Sequence, residues 1–376
     1  MQELDLLCSA VQAALNGQTA TVPALEEEAW RRVCALAKAH DLSLPVFEGL
    51  SGTPLPDGVT QTFLRHSAAT VSRFYAQEAA AKRLYAAFAE NGVDYMPLKG
   101  SLLRELYPVP EWRTGRDVDV LIRPAALERA RAVAIEVLQP VKVTEGYHDV
   151  GLETADGARI ELHFALFNGD EGFGDLLCDP FAHAVANGHC YRQTDAALYA
   201  YHVAHMAKHF RHGGCGLRAF LDLSLLCRRM SEEAMAQASK LLTTAGLAGF
   251  ERAVRRLAAV LFEGAQGDEE TRRLARFVAE NKAFGSVRSQ AAAGHRAGKH
   301  SLLSRIFPPY RIMSRLYPVL RKCPLLLPCC WVLRGFRIFS KKERARFLAA
   351  SRAAVSVNDN DVAELAQLYQ YLQLEG

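Results

Sequence analysis

Apolar residues recur at helical spacing through the first quarter of the chain. Leu6, Leu7, Val11 and Leu15 form one such series, and Trp30, Val33, Leu36 and Ala37 another. A long run from Val59 to Glu90, rich in Ala, Gln, Glu and Arg, ends at Asn91-Gly92, a residue pair suited to stopping a helix. Residues 1–92 are therefore expected to be a helical subdomain. From Val93 the period shortens. Val93 to Leu98 reads as a strand, Ser101 to Tyr107 as a turn or two of helix, and Val118 to Ile122 as an alternating strand. Pro124 suits the first turn of a helix running to about Leu138. Tyr147 to Thr154 and Ala158 to Leu166 read as strands joined by the turn Ala155-Asp156-Gly157.

That order predicts a small mixed sheet with helices on it over residues 93–180. Helical patterns return at Ala196 to Phe210, Leu217 to Met230, Glu232 to Thr244 and Gly249 to Phe262, giving a helical domain over 181–298. Residues 299–376 form a basic, proline-containing segment followed by a C-terminal helix. The fold class expected is α+β, a small mixed sheet embedded between N-terminal and C-terminal helical regions.

Composition narrows the class. With 376 residues, half of them hydrophobic, the chain can bury a substantial core, and a charged fraction of 23% excludes wholesale disorder. Nine cysteines occur without a Cys-x-x-Cys pair, and the first residues lack a basic leader, which predicts a reduced, cytoplasmic protein. No apolar run reaches the roughly 20 residues of a membrane span.

The chemistry concentrates in three places: Lys99-Gly100-Ser101, Arg116-Asp117-Val118-Asp119-Val120, and Ile160-Glu161-Leu162-His163. Residues two apart on a strand face the same side, roughly 6–7 Å apart. Asp117 and Asp119 can thus point into one site while Val118 and Val120 enter the core. Carboxylates that close repel unless a cation lies between them, and magnesium favours such hard oxygen ligands together with substrate phosphates. Glu161, alternating with Ile160 and Leu162, would be the third ligand of a two-metal site. Gly100 allows close approach of a phosphate, and Ser101 is expected to begin a helix whose free N–H groups favour an anion. Lys99, Arg113 and Arg116 supply cations for a triphosphate.

The residues Leu98-Lys99-Gly100, Leu106-Tyr107-Pro108, Arg113, Asp117-Val118-Asp119-Val120-Leu121 and Glu161-Leu162-His163 resemble the bacterial uncharacterised nucleotidyltransferase-like family, over roughly residues 25–260. That family falls within the nucleotidyltransferase superfamily, whose fold DNA polymerase β shares. The resemblance implies a nucleotidyltransferase-type sheet and transfer of a nucleoside monophosphate from an NTP to an acceptor hydroxyl, with pyrophosphate released. It also implies Mg²⁺ or Mn²⁺ as cofactor, held by Asp117, Asp119 and Glu161, with Glu161 helping to deprotonate the acceptor. Lys99 departs from the wider superfamily, which usually has an apolar or small residue before the glycine. The acceptor is not specified and could be a small molecule, a protein or tRNA.

Other features are weaker. His202, His205, His209 and His212 share an arc of roughly 80° on one helix. They read as a polar face lining a cleft, with packing or a metal cluster as the alternatives. His163 shares a strand face with Glu161 and joins His205 and His209 as a cleft candidate. Arg218 and Asp222, four apart, read as an intrahelical pair. Residues 301–346 interleave Lys and Arg with Leu and aromatic residues, fitting a solvated basic face on the core, contact with an anionic membrane surface on its inner face, or nucleic acid. A non-catalytic nucleotide-binding protein or a membrane-peripheral scaffold is the alternative function.

Overall fold

The computed structural model describes residues 2–281 except 114, 147, 168–172 and 174–175, part of 307–337, and 359–374. Three helices open the chain: α1 (Gln2–Leu15), α2 (Glu27–Ala39) and α3 (Ser43–Gly49). They lead into α4 (Asp57–Glu90), whose 34 residues give a rod about 50 Å long. Its end is set by local chemistry. Gly92 takes φ +60°, Val93 N–H bonds Phe88 O at 2.8 Å and Gly92 N–H bonds Ala89 O at 3.2 Å, satisfying carbonyls the last turn leaves open.

Seven strands follow, three more than the sequence pattern revealed. They are β1 (Tyr95–Pro97), β2 (Val118–Ile122), β3 (Lys142–Glu145), β4 (Asp149–Glu153), β5 (Arg159–His163), β6 (Ala184–Asn187) and β7 (Cys190–Gln193), in the order β3-β4-β5-β2-β1-β7-β6. The strands missed, β3, β6 and β7, lie at the two ends of the sheet; every residue of β3 is exposed, so no buried alternation marks it. Between strands lie α5 (Lys99–Leu103) and α6 (Leu127–Leu138), and α7 (Asp195–Arg211), α8 (Leu217–Arg229), α9 (Glu232–Thr244), α10 (Ala248–Phe262) and α11 (Glu269–Glu280) follow the sheet. Short helices α12 (Val319–Lys322) and α13 (Leu327–Arg337), then α14 (Asp359–Tyr371), complete the described elements.

Strand alternation assigns the two faces of the sheet. Val118, Val120 and Ile122 of β2, with Ile160 and Leu162 of β5, enter a core with Ala80, Leu84 and Phe88 of α4 and Ala130 and Ala134 of α6. Leu121 of β2 and Met96 of β1 turn to the other side, into a larger core with α7, α8 and α10. The first three helices join that second core, and Leu365 and Leu368 of α14, with Leu372 just after it, complete it. Gln12 of α1 donates to Leu261 O of α10 at 3.0 Å, and Tyr369 of α14 donates to Phe210 O of α7. All nine cysteines are free. Among the described residues no helix is long and apolar enough to cross a membrane. Arg305, Arg311, Arg315, Lys341 and Lys342 of the basic segment lie outside the described residues.

His40, fully buried after α2, ties three elements of this core. Its Nδ1 accepts from Leu217 N–H, the first residue of α8, at 3.1 Å, and its Nε2 donates to Ala279 O near the end of α11 at 3.2 Å. That pattern requires the neutral ring, and burial pushes its pKa down to about 4 from 6.5. Because the unfolded chain protonates first, this stability is complete above pH 6.5 and is lost as pH falls towards 4. The loss amounts to about 3 kcal/mol by pH 4. Urea unfolding at pH 7 and pH 4.5 should show it, and His40→Gln should flatten the difference. An unchanged pH dependence in that variant would remove His40 from the account.

Candidate active site

The site is set by one register. β2 and β5 run parallel, with Asp119 opposite Glu161 and Leu121 opposite His163. Because Val118, Val120, Ile160 and Leu162 must face the α4–α6 core, Asp119, Glu161 and His163 share the opposite face. Atoms from these three residues lie within 4.8 Å of one another, the one such cluster of His, Cys, Asp or Glu among the described residues. His163 Nε2 donates to Asp119 Oδ1 at 3.2 Å and stands 3.6 Å from Glu161 Oε2. Arg159 binds the other Glu161 oxygen at 2.6 Å.

Electrostatics follow from the crowding. Burial works against a charged His163, but hydrogen bonds to Asp119 and Glu161 outweigh it and raise the ring to about 9, so it is an imidazolium at neutral pH. Burial would raise Asp119; the His163 hydrogen bond and the Lys99 charge hold it below the ordinary carboxylate value. Glu161 is lowered by its His163 hydrogen bond. Asp117 moves the other way, pushed up to about 6 by burial and then by the charges of Asp119 and Glu161. It lies outside the three-residue cluster but lines the same cavity, two residues before Asp119, where the β2–β5 register continues towards Arg159 rather than Glu161.

The cavity encloses about 300 Å³ between this acidic wall and α7 and α8. Lys99, Gly100, Arg113 and Arg116 line it, as the sequence suggested, together with His205 and His209. Ser101 does not. The helix α5 begins at Lys99, and Ser101 N–H is already bonded to Leu98 O at 3.0 Å, which corrects the expected phosphate-binding N–H at Ser101. Space beside Gly100 is taken by a side chain: a Cβ there would stand 3.3 Å from an Arg113 guanidinium nitrogen. Lys99 lines the cavity with its ammonium 5.6 Å from the centre of the Tyr201 ring. Burial lowers its pKa to about 8, although Asp119 opposes that shift.

The three histidines of α7 line the cavity, and His212, just past its end, does not. His205 and His209 meet edge to face at 4.4 Å between ring centroids, and burial, followed by the Lys99 charge, lowers both, keeping them neutral. His202 is buried and donates to Ala219 O at 2.9 Å, whereas His212 bonds Lys208 O.

Arg218 and Asp222, whose charges act on one another within α8, each also find a partner outside their helix. Arg218 binds Asp41 at 3.0 Å. Asp222 takes a two-point contact from Arg113, at 3.0 and 3.4 Å, and a hydrogen bond from Tyr107 at 2.8 Å. Burial opposes charge on Asp222, but Arg113 holds its carboxyl below the usual range. Spacing within α8 hid this pair, since the partner lies 109 residues away. Tyr201, Lys208 and His148 of the cavity wall also went unread, for no local motif marks them.

The two carboxylates suit a divalent cation: Asp119 and Glu161 converge, and an arriving ion would take over the charge that His163 and Arg159 now balance, His163 losing its proton. Asp119 and Glu161 would hold such an ion, with His163 or Asp117 beside them. An oxygen-rich set of this kind and an apposed cationic wall are features of phosphoryl-transfer sites. Residues 26–263 match the family described as uncharacterised nucleotidyltransferase, and the chain belongs to that family. The family name points to transfer of a nucleotidyl group, which implies an NTP substrate, and enzymes of this class generally use divalent metals. No curated protein matches the chain.

Removing one partner of the buried Arg113–Asp222 pair leaves a charge stranded. Asp222→Ala should cost about 3–5 kcal/mol of stability, whereas Arg113→Met combined with Asp222→Leu should recover much of the loss. Chemical denaturation of the two variants tests it; equal losses in the single and the double variant would contradict the pairing.

Proposed function

We propose that the protein catalyses divalent-cation-dependent transfer of a nucleoside monophosphate from an NTP to an acceptor hydroxyl, releasing pyrophosphate. The observation that carries this reading is the in-register Asp119 and Glu161, joined by His163, facing the cations of a shared cavity. Mg²⁺ or Mn²⁺ bound to this set would supply charge neutralisation at the phosphates and a more acidic acceptor hydroxyl. Asp119 and Glu161 would hold the ion. Lys99 and Arg116 meet the triphosphate charge from the other side. Arg113 lies along Gly100 and is a positioned cation, its guanidinium oriented by Asp222.

The acceptor oxygen forms a bond to the α-phosphorus while the bond to the pyrophosphate oxygen breaks, and the acceptor proton passes to a carboxylate. Asp117 suits that step better than Glu161, the base suggested by the resemblance. Glu161 is committed to Arg159 and His163, while Asp117 makes no hydrogen bond or ion pair among the described residues and titrates closer to neutrality. The neutral rings of His205 and His209 offer hydrogen bonds to the acceptor from the α7 wall.

The test is incubation of the protein with each α-³²P-labelled NTP, Mg²⁺ or Mn²⁺, and fractions of cell extract. Label is expected in one class of acceptor, whether small molecule, protein or tRNA. Asp119→Asn should lower transfer by at least about 100-fold, more than loss of a group merely supporting a metal ligand, with its thermal unfolding little changed. Nucleotide binding by calorimetry without transfer to any fraction would favour a non-catalytic nucleotide-binding protein. Transfer undiminished in Asp119→Asn would overturn the site.

A further inference from the structure

The segment around α13 presents its apolar side chains outward. Leu327, Cys330 and Trp331 turn inward, packing with Met313, Tyr317 and Leu320 in a small core of their own. The opposite face is aliphatic as well. Leu325 is 88% exposed, Val332 60% and Leu333 55%, with Cys329 also exposed. Cys329, Val332 and Leu333, at helical intervals of three and four, share one side of α13, and Leu325 sits in the 3-10 turn Pro324–Leu326 that leads into it. Arg334, by contrast, is half-buried. A helix resting on its own protein turns such side chains in and its charges out. Here the outward face calls for an apolar neighbour.

Charge says which neighbour. Residues 299–346 hold 12 Lys and Arg against the single acid Glu343, whereas the rest of the chain holds 33 Lys and Arg against 40 Asp and Glu. The exposed Lys322 precedes this face. We propose that this face docks on an anionic lipid surface, with Leu325, Val332 and Leu333 in the acyl boundary and the exposed Lys322 at the headgroups. A second copy would bring an equally basic segment and repel it. Single-stranded nucleic acid stacks on aromatic rings, whereas the outward residues of α13 and the turn before it are Leu, Val and Cys, and the partly exposed Phe307 rests against the inward Trp331. The 11 residues of α13 cover about 16 Å, short of a hydrocarbon core of about 30 Å, so the helix lies in the plane of the surface. This docking is independent of the nucleotidyl-transfer reading.

Sedimentation of the full chain with phosphatidylcholine vesicles, with and without phosphatidylglycerol, tests the proposal at physiological salt. The protein should pellet with the anionic vesicles and stay in solution with the neutral ones. Leu325→Asp, Val332→Asp and Leu333→Asp together should weaken binding at least tenfold, on the order of what several lost apolar contacts cost, without altering thermal unfolding. Lys322→Glu removes no packing and should weaken binding by about fivefold or more. The proposal fails if the protein does not pellet with anionic vesicles, if it pellets equally with neutral ones, or if the triple variant pellets like the wild type. It also fails if light scattering shows a dimer that the triple variant splits, for this face would then lie between copies.

Discussion

Two like charges are held side by side by the pairing of β2 with β5. The parallel register sets Asp119 against Glu161, an arrangement that coulombic repulsion opposes. What makes it tenable is the opposite face of the same strands, where Val118, Val120, Ile160 and Leu162 are buried against α4 and α6. Slipping the register by one residue would bury carboxylates and expose valines, so the hydrophobic core enforces the acidic pair. His163 and Arg159 then supply the balancing charge from the same strand. The site is therefore a product of packing on the far side of the sheet.

The second wall is built differently. Lys99, Arg113 and the α7 histidines come from separate elements and are brought to the cavity by long-range contacts. Arg113 shows how this is done: its charge is buried, and Asp222 with Tyr107 fixes its direction. A buried ion pair of this kind contributes little net stability compared with apolar packing. What it provides is a defined orientation for a cation that would otherwise sample many rotamers.

Much of this could be read from the sequence because the relevant information is local. Val118 to Ile122 and the alternation around Glu161 identify both strands and their inward faces. The stop at Asn91-Gly92 likewise rests on backbone geometry within a few residues. The rest depends on partners far along the chain. Asp222 lay four residues from Arg218 and invited a local pairing, yet its charge is matched by Arg113 from another element. Ser101 looked like a phosphate-binding position, but the helix begins two residues earlier and consumes its N–H. Spacing also gave Asp117 and Asp119 the same standing, and the register with β5, which sets Asp119 alone against Glu161, separates them. The outer strands β3 and β6 escaped because an exposed strand has no alternation to reveal it, and the half-buried β7 is only four residues long.

The helix α4 belongs to both cores. Val59 and Phe63 near its start pack with α1 to α3 and the C-terminal helices, while Ala80, Leu84 and Phe88 near its end back the sheet behind the carboxylates. One rigid rod thus shares its free energy of formation between the two halves. Opening the sheet frees the end of that rod, and loosening the N-terminal helices frees its start, so neither half melts at no expense to the other. A ligand that tightens the strands around Asp119 would be felt as slower hydrogen exchange in the first helices, although it touches none of them.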